Sequence, residues 1–242
     1  VAEAMVQAAD EIIHGKFRDQ FITDVIQGGA GTSMNMNMNE VIANRANEIL
    51  GGELGKYDKC HPNDHVNYGQ STNDVVPTAG KLTIQMLIKD LLADLQYLYD
   101  TLQKKGDEFD HVIKMGRTHL QDAVPIRLGQ EFKAFSQPVK RDIKRISAAV
   151  EELTYVNMGA TAVGTGINAD VEYVKNVVRI LSEVTGFKFK QSPDLVDGTR
   201  NLDSFVWLSS ALKTCAVNLA KTANDIRLMA SEPKAGLAEL AL

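Results

Sequence analysis

The strongest constraint on this chain is a set of long apolar stripes at helical spacing. In residues 78–105 the stripe is Ile84, Leu87, Ile88, Leu91, Leu95, Leu98 and Leu102. Steps of three and four residues keep these side chains on one helix face, which must be buried against other elements. A second stripe, Leu208, Leu212, Cys215, Leu219, Ala223 and Ile226, runs through residues 205–230. Residues 128–157 and 170–185 share the rhythm, and the start, VAEAMVQAADEIIHG, is already in it. Helices this long pack side by side, so the stripes predict an all-α fold built as a long-helix bundle. Pro138, inside the 128–157 run, is expected to kink or split it. Strand signals are scarce, and Phe187-Lys188-Phe189 is the best of them. Both ends read as cuts through a larger protein, so the bundle is expected to be truncated.

The stretch QGGAGTSMNMNMNE, residues 27–40, tests the period directly. Read with period two, the Met-Asn alternation is an amphipathic strand. In a longer window Met34, Met38, Val41, Ile42 and Ile49 form a helical stripe, interrupted near Arg45. The length of the pattern favours a helix with its methionines inward, ended by Gly51-Gly52. The Asn residues are then polar partners within the bundle.

A chain of 242 residues with 44% hydrophobic content is long enough for a sizeable core. The formal net charge of −5 offers no basic face, so no nucleic-acid partner is expected. An anionic ligand would have to be drawn by local donors. The two cysteines, Cys60 and Cys215, stand far apart in no metal-type spacing, which points to a reduced, cytoplasmic protein. No run of about 18 apolar residues suggests a membrane span.

Three polar segments lie where helices are expected to begin: Gly28 to Ser33, His61 to Asp74, and Gly116 to Pro125. A helix start leaves backbone N–H groups unpaired and carries partial positive charge, so hydroxyls and amides gathered there suit an anion. The same residue types are ordinary helix caps, and both readings stand at this level. The phosphate-loop pattern is absent, and Gly29-Ala30-Gly31 without a preceding strand matches the dinucleotide pattern poorly. There is no HExxH, no Cys/His cluster and no G-x-S-x-G, so neither a metal site nor a serine hydrolase is indicated. His14 and His111 read as surface residues, Trp207 and the methionines as core, and Lys104, Lys105, Lys188 and Lys190 as solvated.

Taken together, the segments resemble the aspartase/fumarase superfamily. The stretches that carry the likeness are GGAGTSMNMNMNEVIANRA (28–46), HPNDHVNYGQSTND (61–74), GRTHLQDAVPIRLGQEF (116–132), MGATAVGTGINA (158–169) and TANDIRLMASEPKAGLAEL near the end. Gly28-Gly29-Ala30-Gly31-Thr32-Ser33 and Ser71-Thr72-Asn73 look like the aspartase versions, whereas His61-Pro62-Asn63-Asp64 looks fumarase-like. The resemblance implies a partial N-terminal helical domain over residues 1–73 and part of the central bundle over 74–242. It implies reversible deamination of L-aspartate to fumarate and ammonia, without cofactor or metal, in a homotetramer with shared active sites. Thr32, Ser71 and Thr72 would bind the β-carboxylate, Asn73 and His119 would sit near the amino group, and Thr118 would help hold the substrate. The family's Cβ base is a serine on a flexible SSIMPGKVNP-type loop, which would follow Leu242, so this chain alone is expected to be inactive and poorly soluble. The neighbouring chemistry is hydration of fumarate to L-malate; a third reading is a non-catalytic helical scaffold. Glu232 stands where the family turn usually has Gly, and strain is expected there.

Overall fold

The computed structural model describes residues 1–27, 30–231 and 234–241. Gly28, Gly29 and Glu232 therefore lie outside the described residues, together with the strain expected at Glu232. By its contacts the chain divides into two compact units, Val1–Thr83 with Thr154–Asn201, and Ile84–Leu153 with Leu202–Leu242.

In the first unit, helix α1 (Ala2–Ile13) packs on α2 (Thr32–Ile49) through Ala4, Ala43, Ala46 and Cys60. Small residues at this contact let the helices approach closely. Arg45 of α2 closes it with two bonds to Glu11, at 2.8 and 3.0 Å. The window 34–49 is helical, but its buried face is rotated by roughly a third of a turn from the expected one, while the Asn residues are interior polar partners as expected. Asn35, Asn39, Ala43, Ala46 and Asn47 are buried, whereas Met34 and Met38 are exposed. The amides win the interior because each finds partners there. Asn47 fills all four of its bonding positions: it donates to the Ala43 and Cys60 carbonyls and accepts from the Lys59 and Cys60 amides. Both cysteines are free and buried.

Helix α3 (Thr72–Glu108) begins in this unit and continues into the second. Its Ile88, Leu95 and Leu102, spaced by heptads, are buried with Leu128, Phe132, Val139 and Ile146 of α4 (Leu128–Glu152). Leu208, Ala211 and Cys215 of a later helix (Asp203–Met229) complete this core. The expected stripes are therefore the core stripes, except at Leu87 and Ala223, which are exposed. Pro138 does not split α4, which runs through it and ends at Glu152. Burial of that helix face offsets the roughly 3 kcal/mol that an interior proline costs. Trp207 is 46% exposed, and Met86 and Met115 also lie outside the core, against the expectation, while Met158 and Met229 are inside it. The four lysines expected on solvated faces are exposed, as are His14 and His111.

Strands β1 (Ile113–Thr118) and β2 (Gln121–Arg127) form an antiparallel hairpin between α3 and α4. The third polar segment is therefore a hairpin and not a helix start. A short parallel pair, β3 (Tyr155–Val156) with β4 (Lys190–Gln191), flanks α5 (Val171–Thr185) in the first unit. The expected strand at 187–189 is found instead at 190–191, and Phe189 is buried in the cluster with Val156, Met158 and Val178. Helix α6 (Leu195–Arg200) leads into α7 (Asp203–Met229). No helix among the described residues is long and apolar enough to cross a membrane.

Candidate active site

The first unit carries Thr32, Ser71, Thr72 and Asn73. Thr32 is the first residue of α2, reached through Gly31 in the left-handed region (φ 85°). A Cβ on Gly31 would also press to 3.1 Å from Val76 of α3, so a bare glycine lets the two helix starts meet. The Gln27 side chain accepts from the Met34 amide, while the Thr32 and Ser33 amides have no acceptor among the described residues. One turn into α2, Asn35 donates to the Thr72 hydroxyl at 3.1 Å. Asn35 and Asn39 both also donate to Asn67. The first two polar segments thus come together at two adjacent helix starts.

Ser71 caps α3: its hydroxyl accepts from the Asn73 amide (3.2 Å), and Asp74 accepts from the Ser71 amide (2.9 Å). The capping reading is therefore true of Ser71, and it has a chemical consequence. With Oγ accepting, the Ser71 proton is free to point outward; the same holds for Thr72, whose oxygen accepts from Asn35. Asn73 donates its Nδ2 to the Ala162 carbonyl at 2.7 Å, and no bond among the described residues occupies its Oδ1. The site so presents hydroxyl donors from Ser71 and Thr72 and one amide acceptor from Asn73.

Asp74 is fully buried, and its second oxygen accepts from the Thr161 amide at 3.1 Å. Burial pushes its carboxyl above the usual range despite the backbone N–H groups that bond to it. Burial, reinforced by the charge of Asp74, also pushes the Tyr173 phenol up to about 12. The buried hydroxyls of Thr78, Thr161 and Tyr173 have no partner among the described residues. His61 is a cap, its Nδ1 accepting from the Asn63 and Asp64 amides, and His65 accepts from the His61 amide.

The second unit carries Thr118 and His119 at the exposed end of the hairpin. Only His119 and Leu120 separate the strands, and both have positive φ, 50° and 62°. Two-residue loops of this kind favour Asn-Gly, so His-Leu is a strained choice that holds the imidazole outward. The register slips between Met115 and Arg117: Gly116 alone faces both Ala123 and Val124, a bulge on β2. A Cβ on Gly116 would come 2.8 Å from the Val124 carbonyl oxygen, so glycine is required. Past that point Arg117, like Lys114, is half-buried, and Thr118 is exposed. Glu239, in the tail after α7, bonds both Lys114 and Arg117 at 2.5 Å. Burial alone would raise the Glu239 pKa, but the bonds from Lys114 and Arg117 outweigh it and hold the carboxyl below its ordinary value.

All six site residues foreseen from the sequence are thus placed, four at the helix starts of one unit and two on the hairpin of the other. Sequence reasoning missed Asn35, Asn67, Asp74, Thr161 and Ala162. The spacing of Asn35 and Asn39, one helical turn, was the available signal for the first. Among the described residues no group of three or more His, Cys, Asp or Glu side chains could hold a metal ion.

Comparison with known proteins follows this geometry. The chain is 57% identical over 242 residues to aspartate ammonia-lyase of Bacillus subtilis (strain 168), covering 100% of this chain and 51% of that protein. It matches a crystal structure of fumarate lyase:delta crystallin from Brucella melitensis bound to cobalt, with TM-score 0.93 and 47% identity over 98% of this chain and 51% of that one. A recombinant class II fumarase from Schistosoma mansoni matches with TM-score 0.91 at 34% identity, over 97% of this chain and 52% of that one. The chain spans about half the length of the curated relatives it matches. The family model described as Lyase matches residues 1–242, and the chain belongs to that lyase family, the aspartase/fumarase superfamily that its motifs resemble.

Proposed function

We propose that the protein to which this chain belongs deaminates L-aspartate reversibly to fumarate and ammonia. The observation that carries this reading is the polarity of the site in the first unit. Ser71 and Thr72 have their oxygens engaged as acceptors and so offer protons, while Asn73 has its amide nitrogen engaged and so offers an oxygen. Donors suit a carboxylate, and a lone acceptor suits an ammonium group.

Elimination of ammonia requires loss of a weakly acidic Cβ proton. The resulting carbanion is tolerable as an aci-carboxylate, with the extra charge gathered on the β-carboxylate. Thr32, Ser71 and Thr72 are assigned to that group. Short hydroxyls fixed by backbone geometry stabilise the developing charge more than the ground state. Each donor can lower the barrier by on the order of 3 kcal/mol. Asn73 and His119 are assigned to the amino group, and Thr118 to substrate holding. The base that takes the Cβ proton is assigned, by family resemblance, to a serine loop after Leu242, so the 242-residue chain alone is expected to show no turnover. No cofactor or metal is invoked. We further assign residues 1–73 to the N-terminal domain and 74–242 to the central bundle of a cytoplasmic homotetramer whose subunits share their active sites.

The 57% identity to an aspartate ammonia-lyase, against 34% to a fumarase, favours deamination over hydration. The full-length gene product, assayed for fumarate by ultraviolet absorbance, is expected to respond to L-aspartate and not to L-malate. Response to L-malate alone would transfer the assignment to fumarate hydration; response to neither would favour the scaffold reading.

A further inference from the structure

The orientation of Asn73 depends on a residue that the reaction does not use. Asn73 donates to the Ala162 carbonyl, 89 residues away in the chain. Ala162 follows Thr161, and Thr161 is held in the left-handed region at φ 59° while fully surrounded by protein. A β-branched residue adopts that conformation only when its surroundings impose it. What imposes it here is Asp74, whose carboxylate accepts the Thr161 amide at 3.1 Å. The other oxygen of the same carboxylate accepts the Ser71 amide at 2.9 Å. Asn157, itself buried and bonded to Thr199, ties the loop to α3 again by donating to the Asn73 carbonyl at 3.0 Å. Turns inside the loop, from Gly164 and Gly166 to the Ala160 carbonyl, close it on itself.

We propose that Asp74 is a positioning residue: through the Thr161 amide it fixes the Ala162 carbonyl, which turns the Asn73 amide so that Oδ1 faces the substrate's amino group. The proposal rests on the reading of ammonia elimination given above. It assigns to Asp74 a role in telling an amino substrate from a plain dicarboxylate. An Asn73 released from Ala162 could present its Nδ2 instead, and a donor placed against an ammonium group repels it. Fumarate, which has no ammonium group, is indifferent to that rotation.

The test uses the full-length gene product. In Asp74→Asn, KM for L-aspartate is expected to rise by about tenfold more than the inhibition constant of fumarate. Thr78→Val, a buried change one turn further along α3 that removes an unpartnered hydroxyl, is expected to leave that ratio within about twofold. A ratio unchanged in Asp74→Asn, or moved equally in Thr78→Val, would overturn the proposal. Hydrogen exchange of the unmodified protein supplies a measurement that needs no variant. The Thr161 amide is expected to exchange as slowly as the amides of the first turns of α3, and free exchange would also overturn the proposal. If the unmodified protein fails to act on L-aspartate, the functional reading falls, and the exchange of Thr161 alone decides whether Asp74 holds the loop.

Discussion

The two places that carry the candidate residues are built on opposite principles. At the starts of α2 and α3 the side chains are set by neutral amides, buried Asn35 and Asn39 with half-buried Asn67, and separately by one buried carboxylate, Asp74, which accepts from the Ser71 amide. At the hairpin, Thr118 and His119 stand in solvent on a strained two-residue loop, and a cluster of ion pairs, Lys114, Arg117, Glu131 and Glu239, holds the strand behind them. The first arrangement stores its precision in satisfied hydrogen bonds, where leaving any one partner unmade costs about 1–3 kcal/mol. The second stores it in backbone geometry and largely buried charge behind the strand, while Thr118 and His119 themselves stand in water. The lesson is that damage to the buried supporting amides of the first region should register first as lost stability, and damage to the exposed site residues of the second as lost activity alone.

The sharpest way to break that contrast is Asn47→Ala. It strands the Lys59 and Cys60 amides and the Cys60 carbonyl in the interior. We expect a loss of about 3–4 kcal/mol, read by denaturant unfolding. A loss under about 1 kcal/mol would show that the buried amides of α2 do not set the stability of this unit. Next, His119→Ala in the full-length protein is expected to lower kcat/KM by at least about a hundredfold with an unchanged melting temperature, because the ring is exposed and supports no packing. A drop in melting temperature matching the loss of rate would erase the difference between the regions.

Acidity separates them by sign. Asp74 is raised above its ordinary 3.8 by burial, so its contribution to stability is fully present below that unfolded value and is lost as pH rises through its folded pKa. Glu239 is lowered below its ordinary 4.5, so its contribution is present above 4.5 and is lost as pH falls through its folded pKa. Acidification below pH 4.5 should therefore loosen the tail from β1 while the Thr161 loop stays closed. Amide exchange at the two places, corrected for the intrinsic rate, would expose a common sign. The smallest effect expected is that of Leu120→Gly, which relieves a positive φ in an exposed loop and should stabilise the hairpin by about 0.5 kcal/mol. Destabilisation would mean that Leu120 is not strained.

The same contrast explains how much was legible in the sequence. Helices whose apolar residues meet other helices declared themselves: Ile88, Leu95 and Leu102 of α3, and Leu208 and Cys215 of α7, are core residues as their spacing requires. Helix α2 was legible as a helix but not in its orientation. Burial by amide pairing leaves no apolar signal, and the methionines supplied a false one. Ser71, Thr72 and Asn73 could be picked out because capping chemistry is local, written within four residues. The hairpin was illegible because its turn lacks Asn-Gly and its strands do not keep strict alternation across the bulge opposite Gly116. Asp74 was missed for a different reason: its partner, Thr161, is 87 residues distant, and no local pattern records such a bond.

The bulge opposite Gly116 bears on how this hairpin can vary among descendants of the same gene. Because side chains alternate faces, removing one residue from β1 would send Arg117 out to solvent and Thr118 toward the tail, exchanging anchor and tool in a single step. Removing or adding two would restore the order. The segment is thus under a rule of parity: a single added residue is tolerable only where a bulge absorbs it, as Ala123 and Val124 do opposite Gly116, and elsewhere drift in length must come in even steps.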